Sequence, residues 1–338
     1  MLGKPFGAIL TTVSLVLPLL GLAAEASAQD YFRGKAISLY AGRPPGGGVD
    51  SEMRLIGQFL GAKIPGNPTI IPRNMPGAGG ITLGNFIYGS AAPDGLSLGV
   101  PGRTAFVLGP VTGDPNARYD LRKFTWLGSS NSSNFILWIR KGANIANVAD
   151  LKASKREIVI GGSGAGNADT VVPAIFAKFE GMPLKVVRGY PGVPEEVLAM
   201  QRGEIDGIVT ARESFAADPV ASGLAVVVMQ TFPVEKGVPL MVETAQSPRA
   251  KALLSLFTVP LRVGLAVIGP PGIPAPITEI LRKAYLETVT STEYIEEAKK
   301  RGFELGTPNL GTELTEYIDK NLSNVSPQVL EDFQEFSK

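Results

Sequence analysis

The sequence predicts an α/β fold built from two blocks of alternating strands and helices. Short apolar runs rich in β-branched residues alternate with amphipathic segments along most of the chain, and four glycine-rich segments each stand between a predicted strand and a helix. This spacing is typical of βαβ units with a parallel sheet. Ligands of open α/β sheets bind where loops leave the carboxyl ends of strands, so four such loops predict one cleft between two domains.

The first block contains two strand–loop–helix units in succession. Ala36–Ala41 predicts a strand, which is followed by loop one (residues 42–50) and a helix over 50–63. The helix is indicated by apolar residues at helical spacing, and Asp50 is expected to cap it. The second unit comprises a strand at 69–72, loop two (residues 74–80) and a helix at 81–90, and it leads into a strand at 96–100.

The second block repeats this organisation. Its two glycine-rich loops are residues 161–166 and 188–194. A further apolar run at 263–268 predicts a strand, and the tail predicts helices at 275–289, 292–300 and 310–321. The other predicted elements are strands at 135–139, 158–160, 184–187, 205–209 and 225–229 and helices at 148–152, 169–179 and 195–203.

Composition excludes several function classes. The chain has 338 residues, a formal net charge of +1, no His and no Cys. It therefore has no His-based catalytic triad, imidazole metal ligand, thiolate or disulfide, and we expect no metal site. No G-x-x-x-x-G-K-[ST] motif occurs and no complete dinucleotide fingerprint, so no cofactor is expected. A near-neutral charge argues against a nucleic-acid partner.

The N-terminus resembles a secretory signal peptide. Lys4 precedes an apolar stretch at residues 6–22, and Ala26-Ser27-Ala28 fits a cleavage site, so residues 1–28 are expected to be removed after Ala28. The alternative is a membrane anchor, but the stretch is shorter than the roughly 20 residues that a bilayer requires and contains Pro18. Export without cysteines suits a bacterial periplasm.

Loops one and two have the composition of an anion site. Both are rich in glycine and both precede a helix, so backbone N–H groups and the positive end of the helix would face a ligand. Such a site would bind a carboxylate or a phosphate without cationic side chains. The alternative is that the glycines only form tight turns, but two such loops in succession favour binding.

These motifs resemble a known family. The sequence is similar to the receptors of tripartite tricarboxylate transporters, which are the TctC or Bug-type solute-binding proteins. The match extends in order over nearly all of the chain that follows the signal peptide. It rests on residues 40–50, Ile64-Pro65-Gly66-Asn67-Pro68, Asn74-Met75-Pro76-Gly77-Ala78-Gly79-Gly80, Pro93-Asp94-Gly95, Tyr190-Pro191-Gly192, residues 202–206 and Gly269-Pro270-Pro271-Gly272-Ile273-Pro274.

The resemblance implies a periplasmic-binding-protein fold of the Venus flytrap type, with a cleft between two domains joined by crossing strands and with no enzymatic activity. Domain 1 would comprise residues 29–134 and 264–338, and domain 2 residues 135–263. The crossings are expected near 135–139 and 263–268. A monomeric receptor would deliver a small carboxylate to a permease with one large and one small membrane subunit.

The resemblance also implies which residues bind the ligand. Backbone amides would hold its carboxylate, and domain 2 would supply specificity. A His that is frequent after the third glycine-rich loop is absent here, and Arg188-Gly189 precedes the tyrosine in place of a plainer pair. The implied clamp residues are Pro45, Gly46, Gly47, Pro76, Gly77, Ala78 and Gly79, and the implied domain-2 contacts are Ser163, Gly164, Asn167, Asp169, Thr170 and Tyr190.

Several residues have two interpretations. Asp50 and Asp169 are candidates both for helix caps and for ligand contacts, and Asp169 would suit a cationic ligand group. Arg188 and Arg212 would either pair with a second ligand carboxylate or lie in solvent. The arginines rank dicarboxylates slightly above amino acids as ligands. Two other functions stay open, presentation of a ligand to a sensor kinase and an exported enzyme that works without His.

Overall fold

The computed structural model describes residues 30–130, 132, 134–163, 167–215, 217–303, 305–323 and 325–336. The predicted signal peptide, residues 1–28, and the candidate ligand contact Gly164 lie outside this part of the chain. Within it, no helix has both the length and the apolar character needed to cross a membrane.

The described residues form eleven strands in two sheets. They are β1 Ala36–Ala41, β2 Thr69–Asn74, β3 Ser97–Val100, β4 Thr125–Ser129, β5 Phe135–Arg140, β6 Ile158–Gly162, β7 Leu184–Arg188, β8 Gly207–Ala211, β9 Ala225–Gln230, β10 Ala266–Gly269 and β11 Asn309–Leu310.

Twelve α-helices in the same residues cover and connect these strands. They are α1 Gly48–Lys63, α2 Ile81–Gly89, α3 Thr104–Val111, α4 Val148–Ala153, α5 Ala168–Glu180, α6 Val193–Arg202, α7 Met241–Thr244, α8 Pro248–Val263, α9 Ala275–Val289, α10 Thr292–Lys300, α11 Gly311–Leu322 and α12 Pro327–Phe336.

The two sheets have parallel centres and antiparallel additions. The first sheet has the order β11-β4-β10-β3-β1-β2, in which β1 is parallel to β2 and β3 while β10 is antiparallel to β3 and β4. The second has the order β7-β6-β8-β5-β9, with β6 parallel to β7 and β8. Loops that follow parallel neighbours leave at one edge of each sheet. The predicted α/β fold with two sheets is confirmed.

The chain passes between the sheets twice. It leaves the first sheet after β4, enters the second at β5, and returns between β9 and β10. The strand predicted at 263–268 is partly wrong, because Val263 ends α8 and the strand is Ala266–Gly269. Gly264, with a φ of 58°, separates the two elements. The domain boundaries stay a prediction.

Helix α8 is the largest element that the sequence analysis did not predict. It contains Pro248 in its first turn and Pro260 near its end, and the Ser247 hydroxyl accepts a hydrogen bond from the Ala250 amide as an N-cap. Most of its residues are buried, and the more accessible ones include Lys251, Ser255 and Arg262 on one side of the helix. It packs against α5 on the second sheet and against α11 and α12. It therefore closes one side of the space between the two sheets.

Candidate functional site

A cleft lies between the loops of the two sheets. Its inner cavity of about 280 Å³ contains both apolar residues and polar residues from each side. An adjoining cavity of about 630 Å³ shares Arg103 and Thr104 with the inner one and reaches loop one. We call these two cavities together the cleft. The polar side chains of the inner cavity are Arg103, Thr104, Ser163, Asn167, Asp169 and Thr210, and its apolar lining is Leu108, Phe135, Ala168, Val193, Val209, Phe257, Pro260 and Leu261.

Loop one forms the outer end of the cleft. Pro45 and Gly47 line it, and residues 43–48 are all exposed. Gly47 caps α1 with an extended conformation, φ −80° and ψ 168°, and Gly46 has a φ of 85°. The amino end of this 16-residue helix therefore opens toward the cleft, where its free N–H groups and dipole attract an anion.

Asp50 is not the helix cap that the sequence predicts. It lies in the first turn of α1 and is buried. Its carboxylate accepts hydrogen bonds from the Gly46 amide at 2.8 Å, from Arg54 Nε at 3.0 Å and from Asn74 Nδ2 at 2.7 Å. Burial opposes ionisation, but these donors together hold the pKa of Asp50 below its ordinary value. Asp50 therefore ties loop one to the start of loop two and leaves no free oxygen for a ligand.

Loop two does not line the cleft but packs next to the segments that do. Gly77, Ala78, Gly79 and Gly80 all have positive φ, at 147°, 44°, 67° and 102°. A Cβ on Gly80 would lie 1.9 Å from the Pro101 carbonyl oxygen. None of residues 76–79 lines either cavity of the cleft, and Ala78 faces a separate recess beside α2. The glycines of loop two therefore allow close packing against the segment that follows β3.

Two arginines at the cleft were missed by the sequence analysis. Arg43 lies in loop one, and a Cβ placed on Gly79 or Gly102 would be 3.7 Å from its Nη2 or 3.6 Å from its Nε. No carboxylate pairs with its guanidinium among the described residues. Arg103 lines both cavities. Two cationic side chains that the sequence analysis did not consider therefore lie in or beside loop one. Pro101-Gly102-Arg103-Thr104 directly follows β3, as loop one follows β1, and this position was the available signal.

A buried acid lies beneath Arg103. Glu52, on α1, accepts a hydrogen bond from the Ser130 hydroxyl at the first crossing between the sheets. Burial raises the pKa of Glu52 to about 7, although Ser130 and the charge of Arg103 both act in the opposite direction. At neutral pH, the partly ionised Glu52 therefore offsets part of the positive charge of Arg103.

The opposite wall of the cleft carries a hydrogen-bonded group centred on Asp169. Asp169 Oδ2 accepts from the Ser163 amide at 2.9 Å and from the Ser163 hydroxyl at 2.5 Å, and that hydroxyl accepts from Asn167 Nδ2 at 3.0 Å. Asn167 occupies the N-cap of α5, so the alternative in which Asp169 is the cap is wrong. Thr170 is fully buried with its hydroxyl directed at Asp169 Oδ1, so it does not reach the cleft.

Glu196 lies behind Asp169. It projects from α6, is fully buried, and has no hydrogen-bond donor on either oxygen among the described residues. Burial first, and then the neighbouring Asp169 and Glu195, raise the pKa of Glu196 to about 8. The side chain is therefore protonated at neutral pH.

The remaining candidates do not line the cleft. Arg188 is exposed at the end of the edge strand β7, and Tyr190 packs against the small apolar cluster that contains Trp138. Arg212 donates hydrogen bonds to Asp218 and, at 2.8 Å, to Glu235. Its guanidinium also lies 5.1 Å from the Trp138 ring. Arg212 is therefore committed within the protein, and a second ligand carboxylate finds no free cation there.

Two sheets connected by two crossings, with a cleft between the loops of each, define the fold of periplasmic solute-binding proteins. The solved structures that resemble this chain are solute-binding proteins, which are not enzymes. A TctC solute-binding protein from Polaromonas matches with a TM-score of 0.68 and 16% identity over 89% of this chain and 98% of that one.

Two further similar structures belong to the same group. MatC from Rhodopseudomonas palustris with bound malate matches with a TM-score of 0.50 and 19% identity, covering 88% of this chain and all of the other. The periplasmic binding protein BugD matches with a TM-score of 0.49 and 18% identity over 90% and 98% of the two chains. At these identities the likeness to the Polaromonas protein and to MatC establishes the fold alone. No protein-family model and no curated protein sequence matches this chain.

Proposed function

We propose that this protein is a periplasmic receptor that captures a small organic solute by a carboxylate group. The observation that carries this proposal is the outer end of the cleft, where Arg43, Arg103 and the amino end of α1 come together. Arginine forms charge-assisted and frequently bidentate hydrogen bonds with carboxylates. A helix N-terminus adds N–H donors that need no side chain.

The comparison supports the choice of a carboxylate. MatC, whose fold this chain shares, holds malate, which carries two carboxylates. The fold alone does not fix the ligand, because solute-binding folds carry many specificities. The cationic end of the cleft is the feature of this chain that agrees with an acidic ligand.

The same proposal includes delivery to a membrane transporter. The signal-peptide pattern of residues 1–28 supports export to the periplasm with cleavage after Ala28. The family motifs support a tripartite tricarboxylate permease, with one large and one small subunit, as the partner. We propose that the receptor is a monomer with domains at 29–134 plus 264–338 and at 135–263, which close on the ligand about the two crossings.

A thermal-shift screen of mono-, di- and tricarboxylates, aromatic acids and amino acids would identify a ligand. A compound present at about 100 times its Kd adds about 2.7 kcal/mol to the free energy of unfolding. Calorimetry would then compare Arg43→Ala with Arg188→Ala, a matched loss of one exposed arginine outside the cleft. Arg43→Ala should weaken binding at least tenfold and Arg188→Ala by less than twofold. Equal effects of the two substitutions would contradict the proposed site.

A further inference from the structure

The two ends of the cleft have opposite chemistry. The outer end presents Arg43 and helix N–H groups, the inner end presents Asp169 beside Asn167, and Arg103 lines both cavities. The inner cavity also has an apolar lining, which includes Leu108 and Phe135. A ligand in the cleft would therefore meet cationic, apolar and acidic side chains.

The hydrogen bonds of the inner end meet at Asp169. The Ser163 hydroxyl donates to Asp169 Oδ2, and one N–H of Asn167 donates to Ser163. The Thr170 hydroxyl donates to Asp169 Oδ1 at 3.2 Å. These donors are neutral, and no cation pairs with Asp169 among the described residues. A cationic donor on a ligand would therefore be a kind of partner that Asp169 does not have within the protein.

Glu196 supplies a further donor behind Asp169. The two carboxyl groups lie against each other in a buried setting, and no cation contacts Glu196 among the described residues. Two carboxylates in such contact do not both ionise. The raised pKa of Glu196 puts the shared proton on Glu196, whose O–H then faces Asp169. Asp169, which lines the cleft, is therefore the acceptor of the pair.

We propose that Asp169, held by Ser163 and Glu196, selects ligands whose far end donates hydrogen bonds, above all an ammonium group, and rejects a second carboxylate. The ligand class is then a carboxylate with an amine or hydroxyl at its other end. This inference rests on the proposed function, because it assumes that the first carboxylate binds at Arg43 and Arg103. It reverses the sequence-based ranking of dicarboxylates over amino acids, which depended on Arg188 and Arg212.

Calorimetry with ligands of matched length tests the inference. Three series with two to five methylenes would be compared: diacids, ω-amino acids and ω-amino alcohols. For the spacer that binds best, the amino acid should bind at least tenfold more tightly than the diacid. Asp169→Asn should reduce this ratio to about threefold or less. Glu196→Gln keeps an N–H donor to Asp169 and should preserve the ratio.

The number of protons released or taken up on ligand binding distinguishes the proposed role of Glu196 from a purely structural one. The charged groups that act on Glu196 are Asp169 on α5 and Glu195 on its own helix. An ammonium beside this pair favours loss of the shared proton, so the amino acid should release protons at pH 7.5 while the diacid takes them up. Calorimetry in buffers of different ionisation enthalpy measures both, and Glu196→Gln should abolish them.

The outcomes separate this inference from the proposed function. Tighter binding of the diacid by the wild-type protein, or proton exchange that is unchanged in Glu196→Gln, would overturn the inference and leave the proposed function standing. Equal binding of the amino acid and the amino alcohol would show that the carboxylate is not recognised, which overturns the proposed function. No binding in any series would overturn both. The wild-type measurements decide the question even if Asp169→Asn does not fold.

Discussion

The two walls of the cleft occupy equivalent places in the fold but have different chemistry. On the first sheet, glycine-rich backbone, a helix N-terminus and Arg43 and Arg103 create a positive wall. On the second sheet, Asp169 lines the cleft and the buried Glu196 lies behind it, so two acids stand where the first sheet has arginines. The same strand-to-helix position therefore serves either charge, depending on the side chains placed there and beneath them.

The walls also differ in how their loops are held. Loop one is open to solvent and is fixed from within by Asp50, which joins Gly46, Arg54 and Asn74. Loop two is fixed by close backbone packing at its glycines. This difference predicts that a similar glycine substitution destabilises the fold in loop two but leaves its stability nearly unchanged in loop one.

The largest expected effect comes from adding one methyl group to loop two. Gly80→Ala should lower the free energy of unfolding by about 3 to 5 kcal/mol, because the residue has a φ of 102° and its Cβ would meet the Pro101 carbonyl oxygen. Gly47→Ala is the control, since its φ is negative and its nearest atom would be 3.8 Å away. Thermal unfolding of both variants would check this, and equal stabilities would contradict it.

The same geometry decides which glycine substitution tests ligand binding. A side chain on Gly77 would meet Thr82 Oγ1 at 2.3 Å, so Gly77→Val would disturb the loop itself. Gly47→Val has the space it needs within the protein and lines the cleft. It should leave the unfolding temperature nearly unchanged and weaken carboxylate binding at least tenfold. Full affinity in a folded Gly47→Val protein would show that loop one is only a turn.

The next effect is a change of the free energy of unfolding with pH. Because the pKa of Glu52 is raised to about 7, the folded protein keeps a proton that the unfolded chain has already lost. The contribution of this group is therefore greatest below about pH 4.5 and falls as the pH rises to 7, by up to about 3 kcal/mol. Glu52→Gln should reduce the loss of stability between pH 5 and pH 8 in denaturant titrations, leaving the part that Glu196 contributes. Glu316→Gln, on the exposed face of α11, should retain the full loss.

A smaller effect is expected from the network behind loop one. Asp50→Ala should cost about 2 kcal/mol of stability, because it leaves the Gly46 amide without its side-chain acceptor and leaves Asn74 Nδ2 with only the Arg43 carbonyl oxygen. Asn74→Ala removes part of the same network. A double-mutant cycle from urea unfolding should give a total smaller than the sum of the single effects. Strict additivity would mean that the two loops are held independently.

The smallest effect is expected at Arg212. Its guanidinium is paired with Asp218 and Glu235 and stacks on Trp138, so Arg212→Lys should change ligand affinity by less than twofold. Calorimetry with a diacid and an ω-amino acid would measure it. A loss of tenfold or more for the diacid alone would restore Arg212 as the partner of a second carboxylate.

The sequence predicted most of the fold because local patterns determine it. All strands except β4 and β11, together with loop one and the helix after it, follow from apolar periodicity and glycine position, and the structure confirms them with shifted bounds at β8 and β10. Helix α8 was missed because Pro260 interrupts its pattern, although Lys251, Ser255 and Arg262 recur on one side at helical spacing. A proline inside a periodic segment argues for a break in the helix, which the structure does not show here.

The site was predicted less completely because it depends on distant contacts. No local sequence pattern predicts that Arg212 pairs with Glu235 or that Glu196 contacts Asp169. The burial of Thr170 likewise depends on packing between distant segments. Arg103 was accessible to sequence reasoning, because it lies directly after a predicted strand at the same edge as loop one. The end of a parallel strand therefore predicts a candidate site residue even where no glycine-rich motif follows.

The structure of the protein with a bound ω-amino acid would test the central claim most directly. The account predicts that the ligand carboxylate lies within hydrogen-bond distance of Arg43, Arg103 or the backbone amides at the start of α1, with the amine at Asp169. A carboxylate at the Asp169 end, or a ligand outside the cleft between the two sheets, would contradict it.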